Sequence, residues 1–202
     1  MQDNTANLIN RKGYAPLHNA PAGGVNERKW YIANVRTGTE RVCRDLLTRN
    51  GYEAYVASRI EERVYASRNR RKIEKVIIPS KIFLHIKDSD RIDVLRLCTP
   101  SIYKFMTDRA VGSDNNGRHP YAIVPDLQMQ QMQFMLGYAE KPVIFSTSSL
   151  NEGDPIRVMR GPLAGLEGSF VRSDGNTYVA VRIALMGYTL TEIPEADIIP
   201  IQ

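Results

Sequence analysis

The strongest constraint on this chain lies in its C-terminal quarter. Gly153, Gly161, Gly165, Gly168, Gly175 and Gly187 recur there between short apolar runs at 156–158, 169–172, 178–183 and 198–199. Glycine in a helix interior costs about 1 kcal/mol relative to alanine, and no 3.6-residue period runs through the segment. Gly153-Asp154 is a turn that launches a strand, Ile156 and Val158 alternate inward, Gly161-Pro162 makes a second turn, and Gly165 and Gly168 permit a tight bend into the next strand. Short strands with Gly-rich turns over roughly 50 residues predict a small closed β-barrel.

The chain before it has another texture. Residues 1–28 are rich in Asn, Ala, Gly and Pro without periodicity, which predicts a flexible leader. Trp30-Tyr31-Ile32-Ala33-Asn34-Val35 reads as a buried strand. Val42, Cys43, Leu46 and Leu47 share one helical face, with Thr39 as a predicted N-cap whose hydroxyl accepts a first-turn amide and Gly51 as the stop. Strands are expected at 52–57, 60–66, 73–78 and 82–86, the middle two joined into a hairpin by Ser67-Arg68-Asn69-Arg70-Arg71-Lys72. Asp90 is expected to cap a second helix that Thr99-Pro100 ends. A further strand is expected at 102–106, a loop at 108–120, and a third helix from Pro125 to Gly137 with Met129, Met132, Met135 and Leu136 as core. The expected organisation is therefore α+β: a leader (1–28), a sheet with flanking helices (29–137), a linker (138–150) with a short strand at 143–145, and the barrel (151–202).

Charge separates the two parts. Residues 151–202 carry four arginines, no lysine and seven acids, a net of −3, which leaves +8 on the rest of a chain whose total is +5. Such asymmetry suggests two surfaces with different partners, a polyanion for the basic one. No run of about 18 apolar residues exists to span a membrane, and no apolar h-region opens the chain, so a cytoplasmic protein is expected. Two cysteines, Cys43 and Cys98, are too few for a disulfide framework and are expected as buried thiols.

Catalytic chemistry finds no anchor. His18, His85 and His119 are far apart and none sits at ligand spacing from a cysteine or acid, so neither metal nor other cofactor is expected. Gly161-Pro162-Leu163-Ala164-Gly165 is followed by Leu, Glu and Gly, not by the Lys-Ser/Thr of a phosphate-binding loop. Glu61-Glu62, the only adjacent pair of glutamates, points to opposite faces of a strand. A non-enzyme is expected.

Gly153-Asp154-Pro155-Ile156-Arg157-Val158-Met159-Arg160-Gly161-Pro162-Leu163-Ala164-Gly165-Leu166-Glu167-Gly168 closely resembles the KOW motif, an SH3-like barrel of transcription elongation factors and some ribosomal proteins. Lys29-Trp30-Tyr31-Ile32 followed by an amphipathic helix resembles the start of a NusG N-terminal domain. Ile77-Ile78-Pro79-Ser80-Lys81-Ile82-Phe83-Leu84 stands where that family has F-F-P-G-Y-V-[LF]-[VI], and Thr99-Pro100-Ser101-Ile102 resembles its V-P-x-V turn. The resemblance covers about residues 29–202. The leader and the segments IPSKIF, PSIYKF and GPLAGLEG resemble the UpxY-like specialised paralogues of Bacteroidetes.

The resemblance implies a monomeric transcription elongation and antitermination factor. Its N-terminal domain would grip the RNA polymerase clamp helices through an apolar groove, for which the candidates are Trp30, Ile78, Pro79, Lys81, Phe83, Tyr103 and Phe105. Alternation puts Ile82 and Leu84 on one face and Phe83 on the other, so some of these belong to a core unless both faces are covered. Ser80 and Lys81 replace the family's glycine and tyrosine; lysine keeps an apolar stem and adds a cation. Arg68, Arg70, Arg71 and Lys72 are candidates for phosphate contact with upstream or non-template DNA or nascent RNA. The barrel would recruit ribosomal protein NusE or termination factor Rho. Ala184-Leu185-Met186-Gly187-Tyr188 stands at the family's I-F-G-R docking site, so Leu185, Met186 and Tyr188 are candidate contacts. The competing reading is a ribosome- or RNA-binding KOW protein acting in translation.

Overall fold

The computed structural model describes residues 27–64, 70–148 and 153–201. In chain order the first part runs β1 (Lys29–Val35), α1 (Glu40–Arg49), β2 (Glu53–Tyr55), β3 (Ser58–Val64), β4 (Arg70–Val76), β5 (Lys81–Ile86), α2 (Arg91–Cys98), β6 (Ile102–Phe105), β7 (Ile123–Val124) and α3 (Asp126–Tyr138). An antiparallel sheet has the order β2-β5-β1-β6, with β7 on the end of β1, while β3 and β4 form a separate hairpin. The leader lies largely outside the described residues.

Every residue of β1 from Trp30 to Val35 is buried, as are Ile82, Phe83 and Leu84 of β5. Side chains alternate across a strand, so such runs need cover on both faces. α1 and α2 supply one cover: Cys43, Leu47, Val94 and Cys98 pack with Tyr31, Ala33, Val35, Ile82 and Leu84. α3 supplies the other, with Met129, Met132, Met135 and Leu136 against Trp30, Ile32 and Phe83. The methionines are core, as expected, and their flexible thioether stems suit a helix buried on more than one side.

Two predicted caps are differently used. The Thr39 hydroxyl donates back to the carbonyl of Arg36 at 2.7 Å instead of accepting a first-turn amide. The Asp90 carboxylate accepts the backbone N–H of Lys87 at 3.2 Å, closing a 3-10 turn that precedes α2. In both cases a local turn competes successfully for the short polar side chain. Gly51 does take the left-handed conformation after α1, at φ +84°.

The second part contains β8 (Val143–Ser146), β9 (Pro155–Val158), β10 (Glu167–Ser173), β11 (Asn176–Ile183), β12 (Gly187–Glu192) and β13 (Ile198–Pro200). They form one antiparallel sheet in the order β13-β9-β10-β11-β12-β8. Counting β9 to β13 as strands one to five gives 5-1-2-3-4, the order of an SH3-like fold, with β8 added at the edge. The protein is thus α+β, a helix-covered sheet followed by an SH3-like unit. β8 lies so close to β12 that an added Cβ at Gly187 would stand 2.1 Å from the carbonyl oxygen of Ser146. Ile156, Val158, Leu163, Leu166, Val179, Val181 and Ile183 of this unit join the same buried cluster as α3. The side-chain carbonyl of Gln128 on α3 accepts the backbone N–H of Ala184 at 2.7 Å, fastening the end of β11 to the helix.

Candidate functional site

Burial divides the seven residues expected in the polymerase groove. Phe83 is 0% exposed, and Trp30, Ile78 and Phe105 are also core. Trp30 stacks on His85 with 4.9 Å between ring centroids, and Phe105 meets Tyr31 and Tyr121 edge to face. Pro79, Lys81 and Tyr103 remain at the surface, Tyr103 with 59% of its area exposed. Lys81 and Tyr103, but not Pro79, line a groove of about 790 Å³ together with Asn34, Lys104, Phe105 and Leu185, among others. The strand register explains the assembly: Asn34 pairs with Lys81 on one side and with Lys104 on the other, so the three stand in one row across β5, β1 and β6. Burial, and then the Lys104 charge, hold the Lys81 amine below its usual value.

The turn leading into Lys81 is held from α1. Ser80 has φ +61° and donates its backbone N–H to Glu40 at 2.8 Å, while its hydroxyl meets that of Thr37 at 2.6 Å. Tyr121 also lines the groove, and the Arg91 guanidinium lies 3.6 Å from its ring centre and pairs with Asp88 at 2.7 Å. Tyr31 donates to Asp88 at 3.1 Å, and its hydroxyl is pushed up to about 12, first by burial and then by the Asp88 charge.

In the hairpin, Arg63 lies directly opposite Arg71, and Glu62 opposite Lys72. Directly paired residues share a face. One face therefore carries Arg59, Arg63, Arg71 and Lys75 with Glu61, a net of +3; the other carries Arg70 and Lys72 with Glu62 and Glu74 and is neutral. Arg70 approaches Glu62 at 3.5 Å, and Glu74 is bonded by Arg44 and Ser58. Arg59 donates to the carbonyls of Lys141 and Ala139, both at 2.7 Å, which ties the hairpin base to the end of α3. Of the four basic residues expected at the tip, Arg71 is on the basic face, Arg70 and Lys72 are on the neutral one, and Arg68 lies outside the described residues. Arg63 and Lys75 were not among the expected contacts; alternation counted back from the tip on both strands is the signal that finds them.

The three barrel candidates diverge. Leu185, at φ +63° and 42% exposed, reaches the groove of the first sheet. Met186 packs on the cluster shared with α3, and Tyr188 on Val171, Ala180 and Leu190. Among the described residues no group of three or more His, Cys, Asp or Glu is placed to hold a metal ion, and no helix is long and apolar enough to cross a membrane. Cys43 and Cys98 are buried free thiols, and burial, with Cys43 alongside, pushes Cys98 up to about 12.

The NusG family model, described as "Transcription termination factor nusG", matches residues 28–133. The chain belongs to the NusG family. That match takes in the whole first sheet, the hairpin and the groove lining except Leu185, and gives this NusG-family chain a transcription-factor role of the elongation-factor kind. Among solved structures it is similar to one described as "Domain interaction in Thermotoga maritima NusG", at 17% identity and a TM-score of 0.45, covering 89% of this chain and 100% of that one. It is also similar to "Crystal Structure of MjSpt4:Spt5 complex conformation A", at 9% identity and a TM-score of 0.27, covering 86% of this chain and 98% of that one. No curated protein matches the chain.

Proposed function

We propose that this NusG-family protein is a cytoplasmic transcription elongation and antitermination factor whose first sheet binds the clamp helices of RNA polymerase. The groove beside Lys81 and Tyr103 is the contact surface, with Phe105 in its lining, while Trp30, Ile78 and Phe83 serve the core. A factor that binds the closed, processive polymerase better than the paused one shifts the population toward elongation. The basic face of the hairpin, Arg63, Arg71 and Lys75, contacts phosphates of upstream or non-template DNA without reading bases. The second sheet recruits a further factor, NusE or Rho being the family's partners, and the leader and the IPSKIF, PSIYKF and GPLAGLEG segments support an operon-specific, UpxY-like role.

The observation that carries this reading is the family match over residues 28–133, which contains the hairpin and every groove-lining residue but Leu185. The test is co-elution of the full chain with its cognate core polymerase at low salt, followed by transcription through a terminator on templates with and without the native leader. Bound protein and increased readthrough are expected. Free protein with unchanged termination overturns the reading.

A further inference from the structure

Among the described residues, no ion pair neutralises the row Lys81–Asn34–Lys104. Of the charged side chains lining the groove, three are cations, Lys81, Lys104 and Arg109, against a single acid, Asp108, which leaves a net positive charge there. Asn34, between the two lysines in register, is buried, so the ledge has a dry floor with cations at either end. Two ammonium groups on the strands flanking β1, one partly desolvated, repel each other across about 10 Å, and an arriving carboxylate relieves both the repulsion and the lost hydration. The apolar lining, Tyr103, Phe105, Met106, Tyr121 and Leu185, accepts the non-polar side of the same partner.

From this we infer that the groove takes a segment of polymerase that carries an acidic side chain, seated between Lys81 and Lys104, and that this charge contact selects the partner that the apolar lining then holds. The inference rests on the proposed polymerase contact. A helix docked on apolar residues alone has little to fix its register; a carboxylate between two lysines fixes it.

The test compares the full-length wild type with Lys81→Met/Lys104→Met, which keeps the apolar stems, and with Lys81→Arg/Lys104→Arg, which keeps the charge. Binding to cognate core polymerase is measured by fluorescence anisotropy at several salt concentrations, after thermal melting establishes that each variant is folded. Removing an interfacial charge pair of this kind is expected to cost roughly tenfold or more in affinity at low salt and to flatten the salt dependence, while the arginine variant binds like wild type. Equal affinity and equal salt dependence for wild type and the methionine variant overturn the inference and leave the polymerase contact standing. Failure of the wild type itself to bind overturns the polymerase reading and the inference with it. Concentration-dependent self-association of the wild type that the methionine variant loses also overturns it, because the groove is then an interface between copies.

Discussion

The carboxylate of Glu40 accepts the backbone N–H of Ser80 at 2.8 Å, and Ser80 stands at φ +61°. A non-glycine residue in the left-handed region costs roughly 1–2 kcal/mol. Glu40, 3% exposed and in the first turn of α1, offsets this cost from a position where the helix dipole favours its charge. Glu40→Ala orphans the Ser80 amide and is expected to lower stability by about 1–3 kcal/mol, with Glu40→Gln less affected, both read as urea midpoints of the full chain. Ser80→Gly trades backbone strain for unfolded-state freedom and a lost hydroxyl contact, and is expected within about 1 kcal/mol of wild type.

Acid should destabilise the first part of the protein through two carboxylates, one before α2 and one in the hairpin. Asp88 is held below its ordinary range chiefly by the Arg91 guanidinium, and Glu74 chiefly by Arg44. Because the folded values lie below the unfolded ones, their contribution is complete above the usual carboxylate range and is lost as pH falls through it and below. Melting temperature measured on descending from about pH 6 should therefore fall, and Asp88→Asn with Glu74→Gln should flatten the slope. An unchanged slope in the double variant would remove both pairs from the account.

Alkali acts on Tyr31 with the opposite sign. Its hydroxyl titrates at about 12 in the fold against 10.0 ordinarily, so its contribution is whole below 10.0 and disappears as pH rises through about 12. Tyr31→Phe is expected to lose the Asp88 hydrogen bond at neutral pH and to show a shallower alkaline decline in circular dichroism.

Gly187→Ala should be among the most damaging single changes in the second sheet. The added methyl meets the Ser146 carbonyl at a backbone φ of +139°, where L side chains are strained. A loss of about 2–3 kcal/mol is expected by denaturation, together with faster amide exchange along β8 and β12.

The two faces of the hairpin should separate in nucleic-acid binding. Arg71→Ala and Arg63→Ala are each expected to weaken binding to a single-stranded oligonucleotide uniformly across sequences and to lower the salt slope by about 1. Lys72→Ala, opposite Glu62, should change it by less than half as much. Equal effects from both faces would show that charge count, not facing, controls the contact.

Much of this arrangement was legible in the residues. Short apolar runs, a basic turn and glycine spacing were enough for the hairpin and the SH3-like unit, because those signals are local. The groove was less legible. Phe83 and Tyr103 are both aromatic residues on strands, and only the distant α3, which covers one and not the other, makes Phe83 core. Arg63 escaped notice because its importance comes from register with Arg71 across a turn. β7 escaped because two residues become a strand only by lying beside β1. Thr39 and Asp90 carried the right chemistry for caps, and nearer backbone groups claimed them.

The edge strand β8 also determines reach. Between Tyr138, which ends α3, and Val143, which begins β8, there are four residues, a contour of only about 14 Å. While β8 stays zipped to β12, the SH3-like unit is on a leash too short to visit anything beyond the flank of α3. Unzipping that strand would lengthen the leash to the whole stretch between α3 and β9, about 55 Å. Four ladder pairs, Val143–Thr191 through Ser146–Tyr188, thus set how far one half of the molecule can move from the other.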